Sequence, residues 1–197
     1  MVELTEGQIG LLSSVNTSFA GRLSEIFSTL AKRRVETRVV NMEIVEYSQF
    51  LESLPHFIII GIFDTVLSAD QLLVGIHPVI AYYILDKIAG GKGEIISIEG
   101  KKLTDVEKTI FEKFIFSKIL LSWEEAWGGG IGIPLKLSMV RIESDPYLTR
   151  RMEGKFVHLT MECIFEQGKE IINICIPHKV AASIGMTSPK EELRGNV

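Results

Sequence analysis

Cysteine is scarce in this chain, which has two cysteines in 197 residues. Cys163 and Cys175 both lie within apolar segments, so they are predicted to be buried thiols and not parts of a disulfide framework. This excludes the small secreted domains that depend on several disulfides. The pattern favours a protein of a reducing compartment.

Long apolar runs are also missing. No stretch of about 18 or more apolar residues occurs, so the sequence predicts no transmembrane helix. The first residues lack a basic region followed by an apolar core, so no secretory signal is predicted. We expect a soluble cytosolic protein.

Positively charged residues are fewer than negatively charged ones. The net charge is −4 and the pI is about 5.6. The densest basic runs, Lys32–Arg34 and Arg150-Arg151, are too short for a nucleic-acid footprint. The first run also ends a predicted helix, where cations complement the helix dipole. Nucleic acid is therefore not an expected partner.

The hydrophobic share, in contrast, is high at 46%, which is enough for a domain of this length to bury a core. A capping box at Thr5 predicts a helix that ends near Arg34. Pro78 begins a second helix, which ends at Gly90-Gly91. Between them lie three strand-like runs, at residues 35–44, 57–63 and 71–76.

The same order recurs about 100 residues later in the chain. A second capping box at Thr104 opens a long helix through Trp127. Glycine-rich residues 128–132 are predicted to form a flexible connection. Pro177 begins a last short helix through Ile184. Strand-like runs fill the space between, at residues 133–142, 155–165 and 170–176.

The recurrence predicts an internal repeat with halves at residues 5–90 and 104–184. Each half has a helix, three strands and a short helix. Two such halves can pair their strands into one sheet with helices over its faces, which is an α/β fold. We assign residues 1–185 to one domain and residues 186–197 to a polar linker or tail.

Motifs for catalysis, cofactors and metals are not apparent. Residues 90–93, Gly-Gly-Lys-Gly, follow a helix and lack the spacing of a phosphate-binding loop. Neither cysteine lies in the electropositive setting of a nucleophile. The histidines show no metal-ligand spacing; they are His56, His77, His158 and His178. We expect no enzyme activity, no cofactor and no metal.

Five segments carry a family resemblance through their order and spacing. The most specific, VEYSQFLESLPHFIIIGIF at residues 45–63, has the pattern Y-x-x-F-L-x-S-L-P before a buried strand. The others are NTSFAGRLSEIFSTLAKRRVETRVV (16–40), HPVIAYYILDKIAGGKGE (77–94), LTDVEKTIFEKF (103–114) and INICIPHKVAASI (172–184). Over about residues 10–185 the chain resembles the middle domain of the flagellar motor switch family FliM.

The resemblance implies a three-layer α/β/α fold with a central, largely antiparallel sheet and pseudo-twofold symmetry, as in the related CheC, CheX and FliY proteins. It implies a component of the switch ring, the C-ring, at the cytoplasmic face of the flagellar basal body. Such a component binds FliG and neighbouring FliM copies, and it helps to set the direction of rotation. Phosphorylated CheY and FliN would bind mainly through regions absent from this chain.

The docking residues implied by the resemblance are those of the GGxG motif, which binds the middle domain of FliG. In this sequence they are Gly90, Gly91, Lys92 and Gly93. Gly90-Gly91 could also simply cap the helix, and the two roles are compatible. We expect Gly91→Asp to weaken FliG binding while the fold remains intact.

The alternative function is a CheC- or FliY-type phosphatase of phosphorylated CheY. In those enzymes a helix carries Ser or Asp, then Glu, then Asn at a fixed spacing. Asn16 has Ser13 and Ile9 at the other two positions, and Glu112 has Ile115 where Asn is required. Both halves lack the set, so we expect no phosphatase activity. An unrelated α/β protein for a small ligand is the third hypothesis, which a ligand-dependent rise in melting temperature would favour.

Overall fold

A computed structural model describes residues 3–65, 68–94, 97, 102–131, 137–143 and 152–184. The helices are α1 (Glu6–Ala31), α2 (Tyr47–Ser53), α3 (Pro78–Ile88), α4 (Asp105–Phe111), α5 (Ser117–Ile131) and α6 (His178–Ala182). The strands are β1 (Glu36–Glu46), β2 (Ile59–Thr65), β3 (Ser68–Ile76), β4 (Leu137–Glu143), β5 (Lys155–Phe165) and β6 (Gly168–Pro177).

Both predicted capping boxes begin helices. The Thr5 side chain accepts a hydrogen bond from the Gln8 backbone, and the Gln8 side chain accepts one from the Thr5 backbone. Thr104 and Glu107 form the same reciprocal pair at the start of α4. Because the paired side chains satisfy backbone N–H groups that have no partner within the helix, these two boundaries could be predicted from the sequence.

The predicted long helix of the second half is interrupted. After α4, residues Glu112–Phe116 form a π-helical turn before α5 begins at Ser117. Two consecutive side chains of this turn, Ile115 and Phe116, are buried. The helix also continues to Ile131, so the flexible connection predicted for residues 128–132 is wrong up to that residue.

Helix α2 was not predicted from the sequence. Its seven residues are too few to show helical periodicity, and they precede the apolar run of β2. Tyr47 and Phe50 are buried, and the Tyr47 ring lies 5.5 Å from that of Phe156 on β5. The helix thus covers part of one face of the sheet.

All strand pairs among the described residues are antiparallel, and the six strands follow the order β1-β5-β6-β3-β2-β4. The equivalent strands of the two halves are β1 and β4, β2 and β5, and β3 and β6. If each is exchanged with its equivalent, the same strand order is read from the opposite edge of the sheet. The strand order therefore has the twofold symmetry that the repeat predicted.

The symmetry centre lies between β3 and β6. Val74 pairs with Ile174, and Gly75 pairs with Asn173. The prolines of the two halves, Pro78 and Pro177, are 99 positions apart. With that offset, Val74 corresponds to Asn173 and Gly75 corresponds to Ile174. The twofold symmetry therefore exchanges the Val74–Ile174 strand pair with the Gly75–Asn173 strand pair.

Among the described residues, the apolar cores on the two faces of the sheet differ in size. Residues from α1, α3, α4, α5 and α6 form the larger apolar core on one face, whereas α2 contributes to a smaller core on the other. Helices thus lie on both sides of one antiparallel sheet, as the predicted α/β/α arrangement requires. The predicted tail at residues 186–197 lies outside the described residues.

Candidate functional site

The candidate loop at residues 90–93 begins as the C-terminal closure of α3. Gly90 has a φ of +87°, and its N–H donates to the Lys87 carbonyl over 3.1 Å. The N–H of Gly91 donates to the Asp86 carbonyl over 2.8 Å. These two bonds form a Schellman motif, in which a glycine adopts the left-handed conformation at little cost. The capping role left open by the sequence is therefore present.

Asp86 holds the far end of the loop. Its Oδ2 accepts a hydrogen bond of 2.6 Å from the N–H of Gly93. A Cβ atom at Gly91 would overlap the Asp86 carboxylate, so any side chain at Gly91 would disturb this bond. Gly91→Asp would therefore displace the Asp86 side chain and alter the shape of the loop. That the fold as a whole stays intact in this variant remains a prediction.

Lys87 supports the loop from beneath. Its Nζ donates to the Lys92 carbonyl over 2.7 Å and lies 5.6 Å from the centre of the Tyr83 ring. Tyr83 packs on Phe165 with ring centres 4.8 Å apart. Through these contacts the loop is fixed to the large core.

The four predicted docking residues do not share one environment. Gly90, Gly91 and Lys92 are exposed, whereas Gly93 is buried. A Cβ atom at Gly93 would crowd both Lys87 and Tyr83, and its φ of +80° also disfavours a side chain. The structure therefore brings three of the predicted residues to the surface and gives the fourth a packing role.

The roles of Asp86 and Lys87 in holding the loop were not predicted from the sequence. A carboxylate in the last turn of a helix opposes the helix dipole unless a local donor compensates it. Asp86 occupies such a position, and this was the one signal that could have revealed its role.

The residues considered for phosphatase chemistry are not arranged for it. Asn16 is fully buried, and its Nδ2 lies 3.9 Å from the sulfur of Met42. In the second half Glu112 is exposed, whereas Ile115 is buried. A substrate in solvent would not reach the Asn16 amide in this structure.

The histidines with described contacts have structural surroundings. His158 Nε2 lies 3.0 Å from Asn173 Oδ1, and Nδ1 lies 3.6 Å from Glu43. His77 Nδ1 lies 3.3 Å from Glu170. Among the described residues, no group of three His, Cys, Asp or Glu side chains is placed to hold a metal ion.

Both cysteine thiols are buried, as predicted. Burial raises the pKa of Cys163 to about 12, with a smaller contribution from Glu170. Burial also raises the pKa of Cys175 well above its usual value. Thiols that stay protonated near neutral pH are poor nucleophiles.

Comparisons with known proteins decide the family. A sequence model described as "Flagellar motor switch protein FliM" matches residues 5–188. The chain belongs to the FliM family. No helix in the described part of this FliM-family chain is long and apolar enough to cross a bilayer.

Two curated FliM proteins are similar over half of their length. FliM of Bacillus subtilis (strain 168) is 26% identical over 181 residues, which are 91% of this chain and 53% of that protein. FliM of Borreliella burgdorferi is 23% identical over 178 residues, which are 89% of this chain and 50% of that protein. The chain therefore spans about half the length of these relatives.

Solved structures share the fold. In the FliG–FliM complex from H. pylori, the matching chain has a TM-score of 0.82 at 19% identity, covering 91% of this chain and 100% of that one. FliY from Thermotoga maritima has a TM-score of 0.74 at 14% identity, and the match covers 91% of this chain and 94% of that one. A CheC-like protein from Shewanella has a TM-score of 0.54 at 13% identity, and the match covers 82% of this chain and 96% of that one. The predicted fold class, with its likeness to CheC-like folds, is confirmed.

Proposed function

We propose that this chain is a protein-binding module of the flagellar motor switch, which docks the middle domain of FliG through residues 90–93. The observation that carries the proposal is the loop held by Asp86 and Lys87, which presents Gly90, Gly91 and Lys92 to solvent. A solved structure with the same fold is a FliM in complex with FliG. Pre-ordering of the loop reduces the entropy lost on docking.

The chemistry of the exposed loop suits protein recognition. Gly90 and Gly91 have no side chain, so a partner can approach their backbone closely. Lys92 adds one cation, which makes no ion pair within the described residues. A lysine at such a position can pair with a carboxylate or donate to a carbonyl of the partner.

The proposal places the chain at the cytoplasmic face of the flagellar basal body, in the switch ring, beside neighbouring FliM copies. Switch subunits must reorient, so contacts between copies are expected to be weak. Sedimentation at micromolar concentration should then give a monomer, and a tight dimer would contradict this part. Phosphorylated CheY and FliN would engage mainly other regions of the full protein.

The first test is a calorimetric titration with the FliG middle domain. Lys92→Glu should weaken binding about tenfold, because it reverses the exposed charge of the loop. Lys179→Glu is the matched control, since Lys179 is exposed on α6. It should bind like the wild type, and both variants should keep the wild-type melting temperature. Equal affinities for all three proteins would argue against docking through the loop.

A catalytic role is tested separately. The chain incubated with phosphorylated CheY should leave the rate of phosphate loss unchanged, because Asn16 is buried and the rest of the phosphatase set is lacking. Accelerated loss of phosphate would instead favour the phosphatase alternative.

A further inference from the structure

A basic cleft opens beside the loop, between the C-terminal ends of α1 and α3. It has a volume of about 280 Å³ and is lined by Ala31, Lys32, Arg33, Lys87, Gly90 and Gly91. The lining thus holds three cationic side chains and, among the described residues, no acidic one. Two carboxylates lie beside the lining: Glu166 contacts Arg33 and Lys87, and Asp86 lies against Gly91.

The two helices that border the cleft end in the same way. The N–H of Lys32 donates to the Thr29 carbonyl, and the N–H of Arg33 donates to the Ser28 carbonyl. Gly90 and Gly91 make the corresponding bonds at the end of α3. Because carbonyls in the last turn of each helix already accept hydrogen bonds, the partial negative charge of the helix ends is reduced where they meet the cleft.

Lys32 occupies a position that favours glycine. Its φ is +50°, and it is the one non-glycine residue with a positive φ in the described part of the chain. Glycine adopts this conformation more readily than lysine does. The chain therefore has a lysine at the cleft in a backbone conformation that favours glycine, which points to a role for the lysine side chain.

A carboxylate of the chain itself indicates what the cleft attracts. Glu166 Oε2 lies 3.8 Å from Arg33 Nε and 3.4 Å from Lys87 Nζ. The Glu166 side chain is half exposed and Arg33 is more exposed still, so neither group is committed to this contact. Lys32 makes no ion pair within the described residues.

We propose that the cleft receives an acidic side chain of the protein that docks on residues 90–93. The inference rests on the proposed function and extends it, since it adds a second contact and states its chemistry. Gly90 and Gly91 belong to both surfaces, so a partner seated on the loop would reach the cleft. Complementary charges there would speed association and fix the orientation of the partner.

The test measures FliG middle-domain affinity for a variant with Lys32→Gly and Arg33→Gln together. Glycine at position 32 suits the left-handed backbone, so this change removes the charge without loss of the helix closure. The double variant should bind about tenfold more weakly than the wild type and show a flatter dependence on salt concentration. Its melting temperature should not fall.

Arg34→Gln is the matched control. Arg34 is adjacent in sequence and highly exposed, but it pairs with Glu36 and does not line the cleft. This variant should bind like the wild type. Glu166→Gln should bind more tightly than the wild type, because it removes the internal carboxylate that competes for Arg33.

The outcomes separate the two proposals. If the wild type does not bind the FliG middle domain, the proposed function itself fails. If the wild type binds and Lys92→Glu weakens binding, but the double variant retains wild-type affinity, then docking stands and the acidic contact is overturned. If Arg34→Gln weakens binding as much as the double variant does, the proposal that the cleft is a specific site is also overturned.

Discussion

Single residues decide the form of the candidate site, and they were predicted unequally. The glycines of residues 90–93 were visible in the sequence because glycine at a helix end has a local meaning. The bond from Gly93 to Asp86 was not, because it depends on how the chain returns over the last turn of α3. Gln8 shows the same limit: its capping role was predicted, but its Nε2 also donates to the Ala182 carbonyl over 2.7 Å.

Glu162 supplies a prediction at this scale. Its carboxylate accepts hydrogen bonds from Lys169 over 2.8 Å and from the Nε of Arg38 over 2.9 Å. These bonds lower the pKa of Glu162, with Lys169 as the larger cause and Arg38 next. A carboxyl with a lowered pKa in the folded state contributes stability above its unfolded pKa and loses it as the pH falls.

Glu162→Gln should therefore reduce the acid sensitivity of the fold. The wild type should lose free energy of unfolding as the pH falls below the usual carboxyl range, and the variant should lose less over the same interval. Urea unfolding at several pH values measures this. Glu25→Gln, at an exposed position on α1, should keep the wild-type slope. Identical slopes for wild type and Glu162→Gln would show that the pairing does not stabilise the fold.

At the scale of elements, local signals predicted the helix starts better than the helix interiors. Thr5 and Thr104 mark helix starts through contacts within four residues, so their capping boxes were recognisable. Phe116 in the π-helical turn Glu112–Phe116 packs against Gly61 and Phe63 of β2, a contact that the sequence of the helix does not reveal. Strand order likewise required contacts between residues far apart in the chain.

Gly61 tests the packing of the π-helical turn against the sheet. A Cβ atom there would overlap the ring of Phe116. Gly61→Ala should lower the free energy of unfolding by about 1–3 kcal/mol through overpacking. The measurement is denaturant unfolding of the purified variant.

Gly10→Ala is the matched control for this substitution. Gly10 is exposed in α1, and a Cβ there meets nothing within 4 Å. This variant should gain up to about 1 kcal/mol from helix propensity. A neutral Gly61→Ala would mean that Phe116 moves aside easily and that the turn is loosely packed.

For the whole molecule, the internal repeat was the most informative signal. The order of elements in residues 5–90 and 104–184 predicted a single sheet built from two similar halves, and the strand order has the expected symmetry. The exact bounds of the domain and its tail stay predictions. The smaller core beneath α2 could not be predicted, because a helix of seven residues is too short to show helical periodicity.

The symmetric sheet has a consequence for the connectivity of the chain. Gln8 Nε2 donates to the Ala182 carbonyl and, over 3.2 Å, to the Ile184 carbonyl, so the start of α1 lies beside the end of α6. A circular permutant could therefore place residues 102–184 first, then a short Gly/Ser linker, then residues 3–94. We expect it to unfold cooperatively and to bind the FliG middle domain as the parent does; an unfolded product would mean that the native connection between the halves is required. The spatial pairing of the halves would then be independent of the order in which the ribosome makes them.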